Sequence, residues 1–156
     1  LTGTKLFSLK SDAMKSAQAL YDLIQINLDR IVDYEKASMQ TMAQDLKSIF
    51  TGIALQSRNF SDELKRILRM NGDEPDEGAS LRGKIYNAWK EIRSKINGDK
   101  NNSLLTLCKQ WEVEIQKLYD SLLNKYDIAT DMREIIENQK KQIVTSFNKL
   151  KNIPAV

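Results

Sequence analysis

The residues that break helices are gathered in one stretch of this chain, Asn71 to Asn102. Asn71-Gly72, Pro75, Gly78, Gly83 and Asn97-Gly98 all lie there, and an amphipathic run to Ile96 sits between them. The whole chain holds only two prolines and six glycines, so long helices are open to the sequence on either side. No segment alternates apolar and polar residues with the period of a strand. The stretch therefore reads as a crossover between two helical halves.

On the N-terminal side, Ser11 is a candidate N-cap, with Asp12 beside it at the positive end of the helix dipole. Ala17, Leu20, Leu23, Ile24, Leu28, Ile31 and Tyr34 then recur at helical spacing to about Ser38. Thr41 and Gln44 fit a capping box and predict a turn into a second helix. That helix carries Leu46, Phe50, Ile53, Phe60, Leu64 and Ile67, and Asn71-Gly72 ends it.

Within the crossover, Pro75 forbids helix and Ser80 is the next N-cap. A shorter helix follows with Leu81, Ile85, Trp89, Ile92 and Ile96 on one face. Asp99 or Asn101 is expected to cap a fourth helix bearing Leu104, Cys108, Trp111, Ile115, Leu118 and Leu122. Asp127 breaks and recaps the chain before a last helix with Met132, Ile136, Ile143, Phe147 and Leu150, and Pro154 marks the tail.

The expected fold is all-α: an antiparallel four-helix bundle with an additional crossover helix between the second and third core helices. Short loops pair helices antiparallel, while a long crossover lets the third core helix enter from the opposite end. A chain of 156 residues fits a single domain, 1–156, with its core at about 11–152.

Composition excludes several chemistries. Histidine is absent, which removes Ser-His-Asp and Cys-His nucleophilic sites and the commonest metal ligand. Cys108 is the single cysteine, so no intramolecular disulfide can form. On an apolar stripe it reads as a small buried hydrophobe, and Trp89 and Trp111 read as core. No apolar run reaches the ~20 residues that span a bilayer, and Leu1 to Lys10 lacks the apolar region of a signal peptide. The expected location is the cytoplasm. The net charge of +3 is mild. The crossover helix carries Arg82, Lys84, Lys90, Arg93 and Lys95, but acidic Asp73, Glu74, Asp76 and Glu77 precede it. Neither interleaved aromatics nor a phosphate-binding loop accompanies these bases, which argues against nucleic acid as the partner.

Polar residues on the apolar stripes are the candidates for function. Asn27, Gln56, Glu112 and Gln139 occupy such positions. Asn27 and Gln56 lie about 14 and 15 residues either side of Thr41, placing both roughly 21–23 Å from the first turn. Glu112 lies 15 residues before Asp127, and Gln139 and Gln142 lie 12 and 15 after it. Asn27 is expected to face Gln56, and Glu112 to face Gln139 or Gln142, each pair near mid-bundle.

This arrangement resembles ferritin-like proteins. In rubrerythrin-like members, the first and third helices carry a Glu with a Tyr seven residues on, and the second and fourth carry Glu-x-x-His. Here Asn27 precedes Tyr34 and Glu112 precedes Tyr119 at that spacing, while Gln56 precedes Asn59 and Gln139 precedes Gln142. A more specific resemblance is to a bacterial ferritin-like family of unknown function whose members are four-helix-bundle proteins. It rests on Asp22 to Ile31 with Tyr34 and Ala37, and on Leu46 to Phe50 with Arg58, Phe60, Glu63 and Leu64. It continues through Glu74-Pro75, Ser80-Leu81, Gly83, Trp89, Cys108 and Glu112. The family commonly has His-Arg where this chain has Tyr86-Asn87.

The resemblance implies the fold and no established activity. A di-iron centre needs about four carboxylates and commonly two histidines, and of these only Glu112 remains. The residues therefore read as hydrogen-bonded core groups, with Glu112 paired or partly solvated and no cofactor. Glu35 and Glu63 are not expected to converge on them. The function expected is non-enzymatic, through self-association as a homo-oligomer or contact with another protein. The alternative is an atypical iron- or manganese-binding or redox protein, with Glu112, Asn27, Gln56 and Gln139 as candidate ligands.

Overall fold

A computed structural model describes residues 3–71, 83–100 and 102–154. It contains five helices: α1 Gly3–Gln40, α2 Gln44–Met70, α3 Lys84–Gly98, α4 Leu104–Lys125 and α5 Thr130–Lys151. No strand occurs among the described residues.

Side-chain pairings give the arrangement. Tyr34 stacks at a tilt on Phe50, with ring centroids 5.8 Å apart, which sets α1 beside α2. Asn27 bonds Tyr119, and Tyr34 bonds the carbonyl of Cys108. Numbers rise along α1 as they fall along α4, so the two are antiparallel. Gln56 meets Ser146 and the carbonyl of Phe60 meets Gln139, which makes α2 and α5 antiparallel too. Tyr119 with Gln139 closes α4 onto α5. The core is thus a ring in the order α1, α2, α5, α4. The shorter α3 packs outside it against α1 and α4. Asp22 meets Gly83 and Asp33 meets Arg93, so α3 runs parallel to α1. It returns the chain to the end of the bundle from which α4 descends.

The stripes read from the sequence face this core, except that Ile92 and Phe147 are only partly buried and lie outside it. Leu23, Ile24, Tyr34, Phe50, Leu64, Trp89, Cys108, Ile115, Tyr119, Leu122, Ile136 and Ile143 are essentially solvent-free. Each large apolar side chain so buried contributes roughly 1.5–3 kcal/mol.

Several boundaries differ from expectation. α1 starts at Gly3, not at Ser11, because neither Gly nor Pro interrupts the chain between Thr4 and Gln40. The capping box does not form. Thr41 Oγ1 accepts the N–H of Ala43 at 3.2 Å, a local turn, and α2 begins only at Gln44. Ser103, not Asp99, caps α4, accepting the N–H of Thr106 at 3.2 Å; Asp99 instead closes the C-terminus of α3. Asp127 lies in the α4–α5 link but does not recap the chain, since Ala129 is the N-cap of α5. The expected caps Ser80 and Asn101, and Leu81, lie outside the described residues.

Candidate functional site

The four polar positions are split between two hydrogen-bonded networks in the bundle core: Gln56 and Glu112 meet on Arg30, while Asn27 and Gln139 meet on Tyr119, so the expected pairs Asn27 with Gln56 and Glu112 with Gln139 are not brought together. Arg30, which the sequence reading did not single out, lies three residues after Asn27 and therefore on the same face of α1. Its guanidinium is fully buried, as is the carboxylate of Glu112. Arg30 Nε donates to Glu112 Oε2 at 3.1 Å and Nη2 to Oε1 at 2.5 Å, a bidentate pair. Nη1 donates to Gln56 Oε1 at 2.8 Å and to Ser57 Oγ at 2.9 Å. The guanidinium also lies 5.8 Å from the centre of the Tyr34 ring. Gln56 is in turn held by Ser146, to which its Nε2 donates at 3.1 Å.

The second network starts at Asn27. Its Nδ2 donates to the Tyr119 hydroxyl at 3.0 Å and to the carbonyl of Leu23 at 2.9 Å. The Tyr119 hydroxyl donates to Gln139 Oε1 at 2.8 Å, and Gln139 Nε2 donates to Glu63 Oε1 at 2.8 Å. Glu63 therefore does reach one of the four positions, Gln139, contrary to expectation. It lies seven residues after Gln56, two turns along the same face of α2, which is the signal that could have found it. Glu35 does not reach them, and pairs at the surface with Arg58.

Electrostatics follow from burial. Desolvation would lower the Arg30 pKa, but the field and hydrogen bonds of Glu112 outweigh it, and the net shift is upward. Burial, and then the charge of Glu112, pushes the Tyr34 phenol well up. Burial pushes Tyr119 up as well. The Cys108 thiol rises through burial, with Glu112 and Asp33 adding to it, so the thiolate needed for nucleophilic chemistry is suppressed.

The Arg30 network does not fit a di-iron centre. Both oxygens of Glu112 and the amide oxygen of Gln56 already face a permanent positive charge. A metal ion placed there would meet that charge at contact distance. Among the described residues no cluster of three or more Asp, Glu or Cys side chains is placed to hold a metal.

A separate polar seam holds the crossover helix. Asp22, Asp29 and Asp33 lie along one face of α1. Asp22 accepts the N–H of Gly83 at 2.7 Å and of Tyr86 at 3.2 Å, capping α3 from outside where its own N-cap has no side chain. Burial pushes the Asp22 carboxyl up, and the N–H groups of Gly83, Tyr86 and Ile85 pull it partly back. Asp29 accepts from the Tyr86 hydroxyl at 3.1 Å and from Trp89 Nε1 at 3.2 Å. Asp33 takes Arg93 bidentately at 2.7 and 2.9 Å. Trp111 Nε1 donates to Asn97 at 2.9 Å and fastens the other end to α4. Both tryptophans are core residues with their polar edges spent on this seam. The basic face considered for nucleic acid has Arg93 committed to Asp33 and Lys95 beside Glu91, while Arg82 lies outside the described residues.

Beside α3 runs a groove of about 490 Å³ over α4 and up to α5, floored by Ile92, Ile96, Val113 and Phe147. A smaller hollow of about 290 Å³ between α2 and α5 reaches Gln56 and Ser146. No helix among the described residues is long and apolar enough to cross a membrane.

The family described as Domain of unknown function (DUF2383) matches residues 15–125, from within α1 to the last residue of α4. No curated protein matches the chain. Asn27, Arg30, Gln56, Glu112, Tyr119 and the whole α1–α3 seam fall within the match, and Gln139 and Ser146 of α5 fall beyond it. With more than two-thirds of its length matched, the chain belongs to the DUF2383 family.

Proposed function

We propose that this is a bacterial, cytoplasmic, ferritin-like bundle without a catalytic centre, acting through its surface by association with itself or with a partner protein. The observation that carries this reading is the closed Arg30–Glu112 pair. Among the described residues, the core polar groups from which a bundle of this kind could build chemistry are spent on holding its own helices together. The ferritin-like assignment is supported by two antiparallel hairpins joined by a long crossover that carries its own helix. The surface role is supported by the groove beside α3, where Ile92, Ile96, Val113 and Phe147 stay partly exposed among Lys95, Asp99, Lys109 and Glu114.

Light scattering across a hundredfold dilution series tests the reading. A defined oligomer that Val113→Glu splits into folded monomers supports self-association. A wild-type monomer at every concentration sinks self-association and leaves contact with a partner protein as the surface role. The competing reading, an atypical metal or redox site near Glu112, requires iron or manganese that leaves on Glu112→Ala.

A further inference from the structure

We infer that Arg30 is the protein's own substitute for a metal ion: a tethered monovalent cation at the centre of the bundle, enclosed by an oxygen cage. The cage is specific. Four acceptor oxygens converge on one guanidinium, namely Glu112 Oε1 and Oε2, Gln56 Oε1 and Ser57 Oγ, at 2.5–3.1 Å. They come from α2 and α4, while the cation comes from α1. All are hard oxygens of the kind that otherwise suit metal ions such as magnesium or manganese. No histidine or thiolate takes part.

Charge decides which cation fits. The cage contains one carboxylate, so a monovalent cation neutralises it. A divalent ion would leave a net positive charge beside a Glu112 carboxylate that has no solvent contact, and ions so buried without balance cost several kcal/mol each. Glu63, the carboxylate of the second network, lies two turns along α2 from Gln56 and is already bonded to Gln139. Geometry agrees with charge, because the four acceptors are spread along the edge of a planar fork and not around a point. Three of its nitrogens serve them, as a fixed fork can and a compact ammonium cannot. Removing the fork therefore vacates a site whose matching ligand is a small guanidinium ion.

This deepens the reading of the core given above, and its failure is separable from failure of the surface role. A monomer with a metal-free core sinks self-association alone. An oligomer that holds metal at Glu112 sinks the tethered cation.

The test uses the full chain and thermal unfolding. The wild-type Tm should not move with chelator, or with Mn²⁺ or anaerobic Fe²⁺ at about 1 mM. Arg30→Ala should melt lower and be rescued by methylguanidinium chloride at about 10 mM, with a rise of about 3–6 °C over equal potassium chloride. The rescue should vanish in Arg30→Ala/Glu112→Gln. Stoichiometric metal in the wild type that is lost on Glu112→Gln overturns the inference. So does rescue of Arg30→Ala by Mn²⁺ in preference to methylguanidinium, or equal rescue of the double variant. If Arg30→Ala does not fold, Arg30→Met/Glu112→Met decides. A folded double variant melting above either single supports a closed cation–carboxylate unit, and a double as damaged as the singles refutes it.

Discussion

Gly83 is where a single methyl group should have the largest effect outside the core. A Cβ built on it would lie 2.8 Å from Asp22 Oδ2 and 3.3 Å from Gln18 Cγ. Real Cβ atoms do not approach that closely, so Asp22 must move. That carboxylate is buried and accepts the N–H groups of both Gly83 and Tyr86. Displacing it weakens two hydrogen bonds to a charged acceptor, each worth roughly 1.5–3 kcal/mol, and leaves a carboxylate under-satisfied. Partial relaxation reduces the sum, so Gly83→Ala is expected to cost about 2–4 kcal/mol and lower the Tm by about 5–12 °C.

Gly52 provides the contrast. It is exposed in the interior of α2, and a Cβ there meets nothing within 4 Å. Gly52→Ala should stabilise by about 0.5–1 kcal/mol, because alanine loses less backbone freedom on folding. Urea unfolding of both variants gives the two signs directly. Hydrogen exchange should place the Gly83→Ala loss in α3 and spare α2 and α5. In an Asp22→Ala background the same glycine substitution should cost less than half as much. Equal cost in the two backgrounds, or a Gly83→Ala protein as stable as the wild type, would refute the view that α3 is capped from α1.

Further outcomes follow from the same contacts. Glu112→Ala strands the buried Arg30 charge and should destabilise by about 3–5 kcal/mol in denaturant titration. Asp33→Asn removes the partner of Arg93, whose side chain is 26% exposed; the cost should be only about 0.5–1.5 kcal/mol, read as faster hydrogen exchange in α3. Cys108 should resist a thiol reagent such as dithiobisnitrobenzoate in the native state and react once denaturant opens the bundle. Asp22 has its folded pKa raised above the ordinary carboxylate value. Its contribution is therefore fully present below the unfolded pKa near 3.8 and is lost as pH rises through the folded pKa. The stability of wild type relative to Asp22→Asn, from urea curves, should accordingly be greater at pH 4 than at pH 7.

The helices and their inward faces were legible because periodicity is a local signal that packing only reinforces. Their ends were less so, because capping is a competition among neighbours. Between Asp99 and Ser103 lay several plausible caps, and Ser103 won by being the one whose hydroxyl reaches the N–H of Thr106. Asp99 was already engaged, its own N–H closing α3 onto Ile96. At the start of α1, Ser11-Asp12 has the chemistry of a cap, but a cap helps a helix begin and cannot by itself make one stop.

The centre of the bundle shows why a correct list of polar positions still missed the arrangement. Asn27, Gln56, Glu112 and Gln139 stood out because they interrupt apolar stripes. Arg30 did not, because an arginine on a long helix ordinarily reads as part of its solvated face. Burying it depends on Glu112, 82 residues away, and on α2 supplying Gln56 and Ser57 at the same level. The acidic seam was hidden for the same reason. Asp22, Asp29 and Asp33 look like surface charge until α3 lays its N-terminus, Tyr86, Trp89 and Arg93 across them. In both places a charge on α1 is legible only through its partner. Because α1 meets both sets of partners, the polar networks of the core and the crossover helix are positioned by one element. A substitution that shifts α1 along its axis should therefore loosen α3 and the Arg30–Glu112 pair together, whereas one confined to the groove floor should leave both intact.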